Sequence, residues 1–227
     1  MIVDFHSHIL PGVDHGSSSL GISIKQIKLA SRFGVDRIIA TSHFYPHSRS
    51  ASSFIERRQK AFADLKNAVN DINVKIALGA EVLMCDSVEN LPFLRELCIQ
   101  GTKTILFELP FSDFQSSYCH SIYNLCSSGY TVVMAHAERY DKSWIDETLE
   151  AGASLQLNAG AFSLFKIKKI LPWIEAGDVV AIGSDIHGAD TSAYRSFKKA
   201  VEKAERIAPQ IRSFLDNLWK SIMNSNS

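Results

Sequence analysis

No stretch of the 227 residues approaches the roughly 20 apolar residues that a membrane-spanning helix needs. An excess of either charge is also missing. The 24 Lys and Arg are matched by 24 Asp and Glu, so the sequence-independent pull toward phosphate backbones is absent and a nucleic-acid-coating role is disfavoured. Cysteine is scarce. Cys85, Cys98, Cys119 and Cys126 form no Cys-x-x-Cys pair, and three of them fall in segments of helical periodicity. Free thiols in a reducing compartment are expected, in place of a disulfide framework or a thiolate metal site. The opening Met1-Ile2-Val3-Asp4-Phe5-His6 puts acid and histidine where a secretory signal would put Lys or Arg and then an apolar stretch. A cytoplasmic location is therefore expected. Repeats, low-complexity tracts beyond a small Ser cluster at 17–19, and Pro/Gly-rich linkers are lacking, which predicts a single domain over 1–227. With 46% hydrophobic and 21% charged residues, disorder, collagen and coiled coil are excluded.

What is present is an alternation. A short β-branched run, a turn and an amphipathic stretch recur along the chain. The strand candidates are 2–6, 37–41, 74–79, 104–108, 131–135, 154–158 and 179–184. Runs such as Arg37-Ile38-Ile39-Ala40 are nearly continuously apolar, as in strands covered on both faces. Between them, Leu20, Ile24 and Ile27 follow the Ser cluster at helical spacing, and Gly34 stops that helix. Phe62, Leu65, Val69 and Ile72 form a second stripe, Val88, Leu91 and Leu94 a third, and Ile122 with Leu125 a fourth. Ser143 with Asp146 resembles a capping box. Leu164, Ile167 and Leu171 come next, with Pro172 expected to break the turn. Tyr194, Phe197 and Val201 mark a late helix, and Ile211, Leu215, Leu218 and Ile222 a last one. Seven strand–helix units imply a parallel sheet, because parallel neighbours need a crossover. Periodicity alone leaves open whether it closes as a barrel, one unit short of the eight-fold form, or stays open and doubly wound.

The ionisable residues gather at the carboxyl ends of these strands, the edge where parallel α/β folds bind ligands. Strand one runs into His6-Ser7-His8 and Asp14. The next ends carry His43, Glu81, Glu108 and His136, and the last carries Asp185-Ile186-His187. Taken singly, His6-x-His8 is a weak signal, since alternate strand residues share a face. Glu81 alone would be read as solvated, and Glu108 or His136 as a satisfied polar group. The joint pattern is what points to metal. His6, His8, His15, His43, His136 and His187 all fall on or beside strand ends, and only His120 clearly falls on a helix face. The nine potential ligands His6, His8, Asp14, His43, Glu81, Glu108, His136, Asp185 and His187 exceed what one acid–base pair needs. Imidazole and carboxylate without thiolate suit Mn, Fe or Zn. At about four to six ligands per ion, the set could hold two or three ions if Glu81 bridges.

These residues also carry a resemblance. Asp4-Phe5-His6-Ser7-His8 with Asp14 looks like the opening motif of the PHP (polymerase and histidinol phosphatase) superfamily. Thr41-Ser42-His43, Gly79-Ala80-Glu81, Phe107-Glu108, Ala135-His136 and Ser184-Asp185-Ile186-His187 match its later motifs in order. Within it, His8-Ile9-Leu10-Pro11-Gly12-Val13-Asp14 and Ala135-His136-Ala137-Glu138-Arg139 resemble the manganese-dependent bacterial protein-tyrosine phosphatases of capsule and exopolysaccharide loci. The resemblance runs to about Asp190. It implies a distorted (β/α)7 barrel. It implies a first metal on His6, His8, Glu81 and Asp185, a second on Glu81, Glu108 and His136, and a third on Asp14, His43 and His187. Arg139 matches the family's phosphate-binding arginine. Members usually carry a further arginine seven or eight residues after the Asp of Asp-x-His. Here those positions are Ser192 and Ala193, with Arg195 next, and the loop after His43 offers His47 and Arg49.

The expected chemistry is phosphomonoester hydrolysis, most of all of phosphotyrosine in a protein, with histidinol phosphate or another small phosphomonoester as the alternative substrate. A metal ion lowers the pKa of its water from about 15.7 toward neutrality, so a metal-bound hydroxide is the expected nucleophile. Manganese, two or three ions, is the expected cofactor, with Fe or Zn possible. Arg139 would clamp phosphoryl oxygens in bidentate fashion, and Asp185 or His187 would be the general acid. No cysteine is followed by arginine six residues later, which excludes a cysteine-nucleophile phosphatase. A nuclease is disfavoured by the missing basic stripe, and a non-catalytic metal protein by the completeness of the ligand set. The resemblance further implies, as partner, an autophosphorylating tyrosine kinase of polysaccharide export.

Overall fold

The computed structural model describes residues 2–111 and 113–225. Among the described residues, nine strands and eight α-helices follow one another. They are β1 (Val3–Ser7), α1 (Leu20–Arg32), β2 (Arg37–Ala40), β3 (His43–Phe44), α2 (Ala51–Ala68), β4 (Lys75–Leu78), β5 (Glu81–Leu83), α3 (Leu94–Leu97), β6 (Thr104–Glu108), α4 (Ser117–Ser127), β7 (Thr131–Met134), α5 (Lys142–Glu150), β8 (Ser154–Asn158), α6 (Ile167–Ala176), β9 (Val179–Gly183), α7 (Thr191–Ile207) and α8 (Pro209–Asn224). The seven strands expected from sequence are all present. Two of them are interrupted, at Thr41-Ser42 and at Gly79-Ala80, so that β2 and β3 are two halves of one path and β4 and β5 of another.

Every ladder is parallel. The first sheet runs β1-β2-β4 and the second β3-β5-β6-β7-β8-β9. Because the interrupted strands pass from one sheet to the other, the strands succeed one another around a ring. Between β9 and β1 the described residues form no ladder. That gap is bridged instead. Asp185 N–H donates to the His6 carbonyl at 2.8 Å. Ser184 gives its backbone N–H and its hydroxyl to the Asp4 carboxylate at 2.8 and 2.6 Å. Burial pushes the Asp4 carboxyl up to about 7, against the pull of those two bonds. This is the distorted seven-unit barrel, with its irregular seam beside the first and last site-bearing strands.

Local chemistry explains the helices. The Ser19 hydroxyl accepts from Ile22 N–H and caps α1. Gly34, at φ +84°, takes the left-handed turn that ends it. Asp190 caps α7 through Ser192 and Ala193 N–H, and α7 buries Tyr194, Phe197, Ala200, Val201 and Ala204 at three- to four-residue spacing. Three expectations need correction. Val88, Leu91 and Leu94 do not share a helix: a 3₁₀ turn at Val88–Asn90 and the short α3 flank Pro92, which holds Leu91 extended (ψ 133°). The first turn of α5 begins after Asp141, so Ser143 lies inside the helix and is no cap. Finally, α6 runs through Pro172; only the bond from that position to the Lys168 carbonyl is forfeited. All four cysteines are free, with Cys98 buried.

Candidate metal centre

The carboxyl ends of the strands converge on one buried polar cluster. His6 and His8, on and just past β1, point their Nε2 atoms to within 3.0 Å of each other. Glu81 opens β5, and its Oε2 lies 3.2 Å from His6 Nε2, 3.4 Å from His8 Nε2 and 2.9 Å from His43 Nδ1. Its other oxygen lies 2.8 Å from His136 Nε2. Glu108, ending β6, stands 3.1 Å from His43 Nδ1 and 3.8 Å from His136 Nε2. Asp185 Oδ1 lies 3.3 Å from His8 Nε2 and 3.7 Å from both His6 Nε2 and His187 Nδ1. His187 stacks on His8 with ring centroids 4.0 Å apart. Together with Asp14, 2.9 Å from His8 Nδ1, all nine residues anticipated from sequence are within one cluster.

Neighbouring groups orient these side chains. Gln156 Oε1 accepts the backbone N–H of His136 at 2.9 Å. A backbone N–H can only donate, so that oxygen is fixed as an acceptor and His6 Nδ1, also 2.9 Å away, must carry its proton. The lone pair of His6 is then on Nε2, facing the cluster. Asp14 Oδ2 does the same for His8 at Nδ1, and also accepts His43 N–H at 2.9 Å, while its Oδ1 accepts Gly16 N–H. The Gln156 amide donates to Asn158, whose own amide donates to Asp185 Oδ2 at 2.9 Å. His136 and Asp185 sit at φ +35° and +52°, a left-handed conformation costly for non-glycine residues and held here at the rim.

The cluster fits metal ions. Three sets of donor atoms lie within 4.8 Å of one another: His6, His8 and Glu81; His43, Glu81 and Glu108; and His8, His43 and His187. The first coincides with the core of the expected first site. The others use His43 where His136 was expected beside Glu81 and Glu108, and His8 where Asp14 was expected beside His43 and His187. Glu81 Oε2 is buried with no well-aligned donor, although three imidazole nitrogens face it. Lone pairs that converge in this way need a cation between them. Charge leads to the same conclusion: with the imidazoles neutral, as metal ligands must be, Asp14, Glu81, Glu108 and Asp185 bring four carboxylates against the guanidinium of Arg139. Burial opposes charge on His8, yet Asp14, Asp185 and Glu81 outweigh it and hold that imidazole well above its usual pKa. His43 is likewise raised to about 9, with burial overcome by Glu108 and Glu81. Burial disfavours ionised Asp185, but His6, His8 and Arg139 prevail and hold it far below the usual carboxylate range. Burial and His8 lower His187 to about 4.

Arg139 lies on the 3₁₀ turn Ala137–Arg139 after β7. Its guanidinium, 44% exposed, meets Asp185 Oδ2 at 2.5 Å and not the neighbouring Glu138, which accepts from Asn158 N–H. Arg195 is exposed on α7, with no polar contact to the cluster among the described residues. Arg49 instead lines a cavity of about 190 Å³ with Asp14, His15, His43 and Tyr45. His47 stacks on Tyr45. The His15 ring lies nearly parallel to those of His43 and His187, with centroids 4.6 and 4.7 Å away. Sequence reasoning assigned no role to Gln156 or Asn158. The available signal was a pair of side-chain amides at alternate positions of one strand, on the face opposite Leu155 and Leu157. It also missed two close approaches. A Cβ on Gly183 would stand 2.4 Å from His6 Cβ, and one on Gly16 2.3 Å from His8 Cβ.

A barrel-like ring of parallel strands with an imidazole–carboxylate cluster on its carboxyl rim defines a metal-binding α/β barrel protein. Residues 2–212 match the family described as capsular polysaccharide synthesis, CpsB/CapC, and the chain belongs to that family. Among its relatives, tyrosine-protein phosphatase YwqE of Bacillus subtilis is 30% identical over 86% of this chain and 81% of its own length. Tyrosine-protein phosphatase CpsB of Streptococcus pneumoniae is 27% identical over 98% and 99%. A solved structure from a study of YwqE and CpsB, described as unique metal-dependent tyrosine phosphatases, superposes with a TM-score of 0.78 at 25% identity, covering 98% of this chain and 95% of that one. A TatD family hydrolase of Entamoeba histolytica shares the fold at a TM-score of 0.56 and 11% identity, over 99% and 97% of the two chains.

Proposed function

We propose that this protein is a metal-dependent protein-tyrosine phosphatase of capsular or exopolysaccharide synthesis, a single domain over 1–227. The observation that carries the reading is the cation-deficient cluster around Glu81, open at the rim beside Arg139. Relatives bearing the tyrosine-phosphatase name over nearly the whole chain support it. His6, His8, Asp14, His43, Glu81, Glu108, His136, Asp185 and His187 would hold the metal, and we assign two or three manganese ions, with iron or zinc as substitutes. Bound there, the ions supply Lewis acidity toward phosphoryl oxygens and a water acidified toward neutrality.

The chain's own groups do the rest. Gln156 and Asp14 keep the donor nitrogens of His6 and His8 aimed inward. Arg139 offers a planar fork to the non-bridging oxygens, and its contact with Asp185 holds it at the rim before substrate arrives. The leaving group is a phenolate whose parent pKa is about 10, so it departs with little protonation; Asp185, held ionised, and His187, held neutral, stand at the rim without a proton to give it. The substrate assigned is a phosphotyrosyl segment of an autophosphorylating kinase, acted on in the cytoplasm, where four unpaired thiols are stable. No described helix is long and apolar enough to cross a membrane. The test is a manganese-supplemented assay comparing a phosphotyrosyl peptide, a phosphoseryl peptide, histidinol phosphate and a nucleotide. Preference for the first, abolished by chelator, is expected. Preference for histidinol phosphate would move the protein to the small-molecule phosphatases, and full activity in excess chelator would refute the metal chemistry.

A further inference from the structure

Beside the cluster, a phenylalanine ring is held in water. Phe111 is 61% exposed, yet it does not hang free. Its ring lies nearly parallel to that of His136, with centroids 5.9 Å and planes 18° apart, and to that of Tyr140, at 5.3 Å and 15°. Tyr140 in turn rests against Trp144. The backbone leading to Phe111 is clamped. Tyr140 Oη donates to the Leu109 carbonyl at 2.9 Å and accepts Leu109 N–H at 3.1 Å, and Pro110 fixes the next φ. Glu108, immediately before, is part of the cluster.

A lone exposed apolar side chain is ordinary on a protein surface. This one lies nearly parallel to a rim imidazole and to Tyr140, the residue after Arg139, with most of its surface open to solvent. The opposite wall is different. Tyr45 stacks on His43 at 5.3 Å and carries His47 against its ring, so it is only half exposed.

We infer that Phe111 is a specificity-determining residue, an aromatic platform on which the ring of an aryl phosphomonoester stacks while its phosphoryl group sits at the cluster. This rests on the phosphatase reading and deepens it, because it makes the preference for aryl over alkyl esters a property of one side chain. A phosphoryl group beside Glu81 and His136 lies on the side of the cluster where Phe111 stands. An aryl group there gains an offset-stacked partner, and an alkyl group gains nothing comparable.

The test uses two non-hydrolysable probes, phenylphosphonate and methylphosphonate, titrated calorimetrically into manganese-loaded full-length protein, with metal content measured alongside. Phe111→Ala should weaken phenylphosphonate binding about two- to tenfold, leave methylphosphonate binding unchanged and keep the metal. Phe111→Trp should restore the aryl preference. The ratio of kcat/KM for a phosphotyrosyl over a phosphoseryl peptide should fall in parallel in Phe111→Ala. Equal weakening of both probes, or no weakening of phenylphosphonate, overturns the platform while leaving the phosphatase standing. A wild-type protein that binds neither phosphonate and hydrolyses no phosphomonoester overturns the phosphatase reading, and the platform with it.

Discussion

Replacing Gln156 by leucine removes one acceptor and one donor from beneath the cluster without touching any proposed ligand. Three groups lose a partner: His6 Nδ1–H, the buried backbone N–H of His136, and Asn158 Oδ1. A buried polar group left unsatisfied costs about 1–3 kcal/mol. Relaxation around Asn158, which is slightly exposed, leaves two such groups and an expected loss of folding stability of roughly 2–6 kcal/mol. The second effect is on metal. Without Gln156 Oε1, nothing fixes the proton of His6 on Nδ1, and the ring is free to turn its N–H toward Glu81. Loss of such an orienting partner lowers metal affinity about 10- to 100-fold. Manganese titration followed by electron paramagnetic resonance reads the affinity, and urea unfolding of the chelated protein reads the stability. Gln156→Glu keeps an acceptor for both N–H groups, so it should bind metal more tightly than Gln156→Leu while being less stable than wild type when metal-free, because it buries a further carboxylate. Unchanged manganese affinity in Gln156→Leu would refute the orienting role, and so would equal affinity in the two variants.

Arg139→Ala should lower kcat/KM by about 100- to 1,000-fold through loss of a donor to the developing phosphoryl charge, with metal content unchanged; wild-type turnover would return the residue to a surface role. Gly183→Ala puts a methyl 2.4 Å from His6 Cβ, a backbone-proximal atom that cannot swing aside, so it should lose both stability and metal, as read by calorimetry and elemental analysis. Arg58 is buried, with its pKa lowered by burial to about 10, and donates to the carbonyls of Gly79 and Glu96 at 2.8 and 2.6 Å. Arg58→Met leaves both acceptors unpaired and should destabilise the protein by roughly 2–4 kcal/mol in urea; a loss below measurement error would mean that water replaces the guanidinium.

Much of this protein could be read from the order of its residues. Strand positions came from period and β-branching, because strands covered on both faces are apolar through their middle, as in Ile105-Leu106-Phe107. The helix ends at Ser19 and Gly34 are local chemistry and need no tertiary partner. The ligand candidates were legible because each stands where a strand ends, and a parallel fold brings those ends to one rim whatever the details of closure.

Features set by contacts distant in sequence were not legible. The break of two strands at Thr41-Ser42 and Gly79-Ala80 depends on how the two paths pair with each other and with their outer neighbours. The closure across Asp4 and Ser184 joins positions 180 apart in the chain. Gln156, an unremarkable polar residue in a strand, acquires its meaning from His6, 150 positions earlier. Sharing of ligands is likewise a matter of sub-ångström differences between distances around Glu81, and residue identity carries no distances. Sequence by itself determined which residues could serve as ligands and that they would meet; only the tertiary structure decided which nitrogen faces inward, which neighbours orient the imidazoles and which aromatic ring lies beside His136, because those depend on side-chain directions set by packing between strands far apart in the chain.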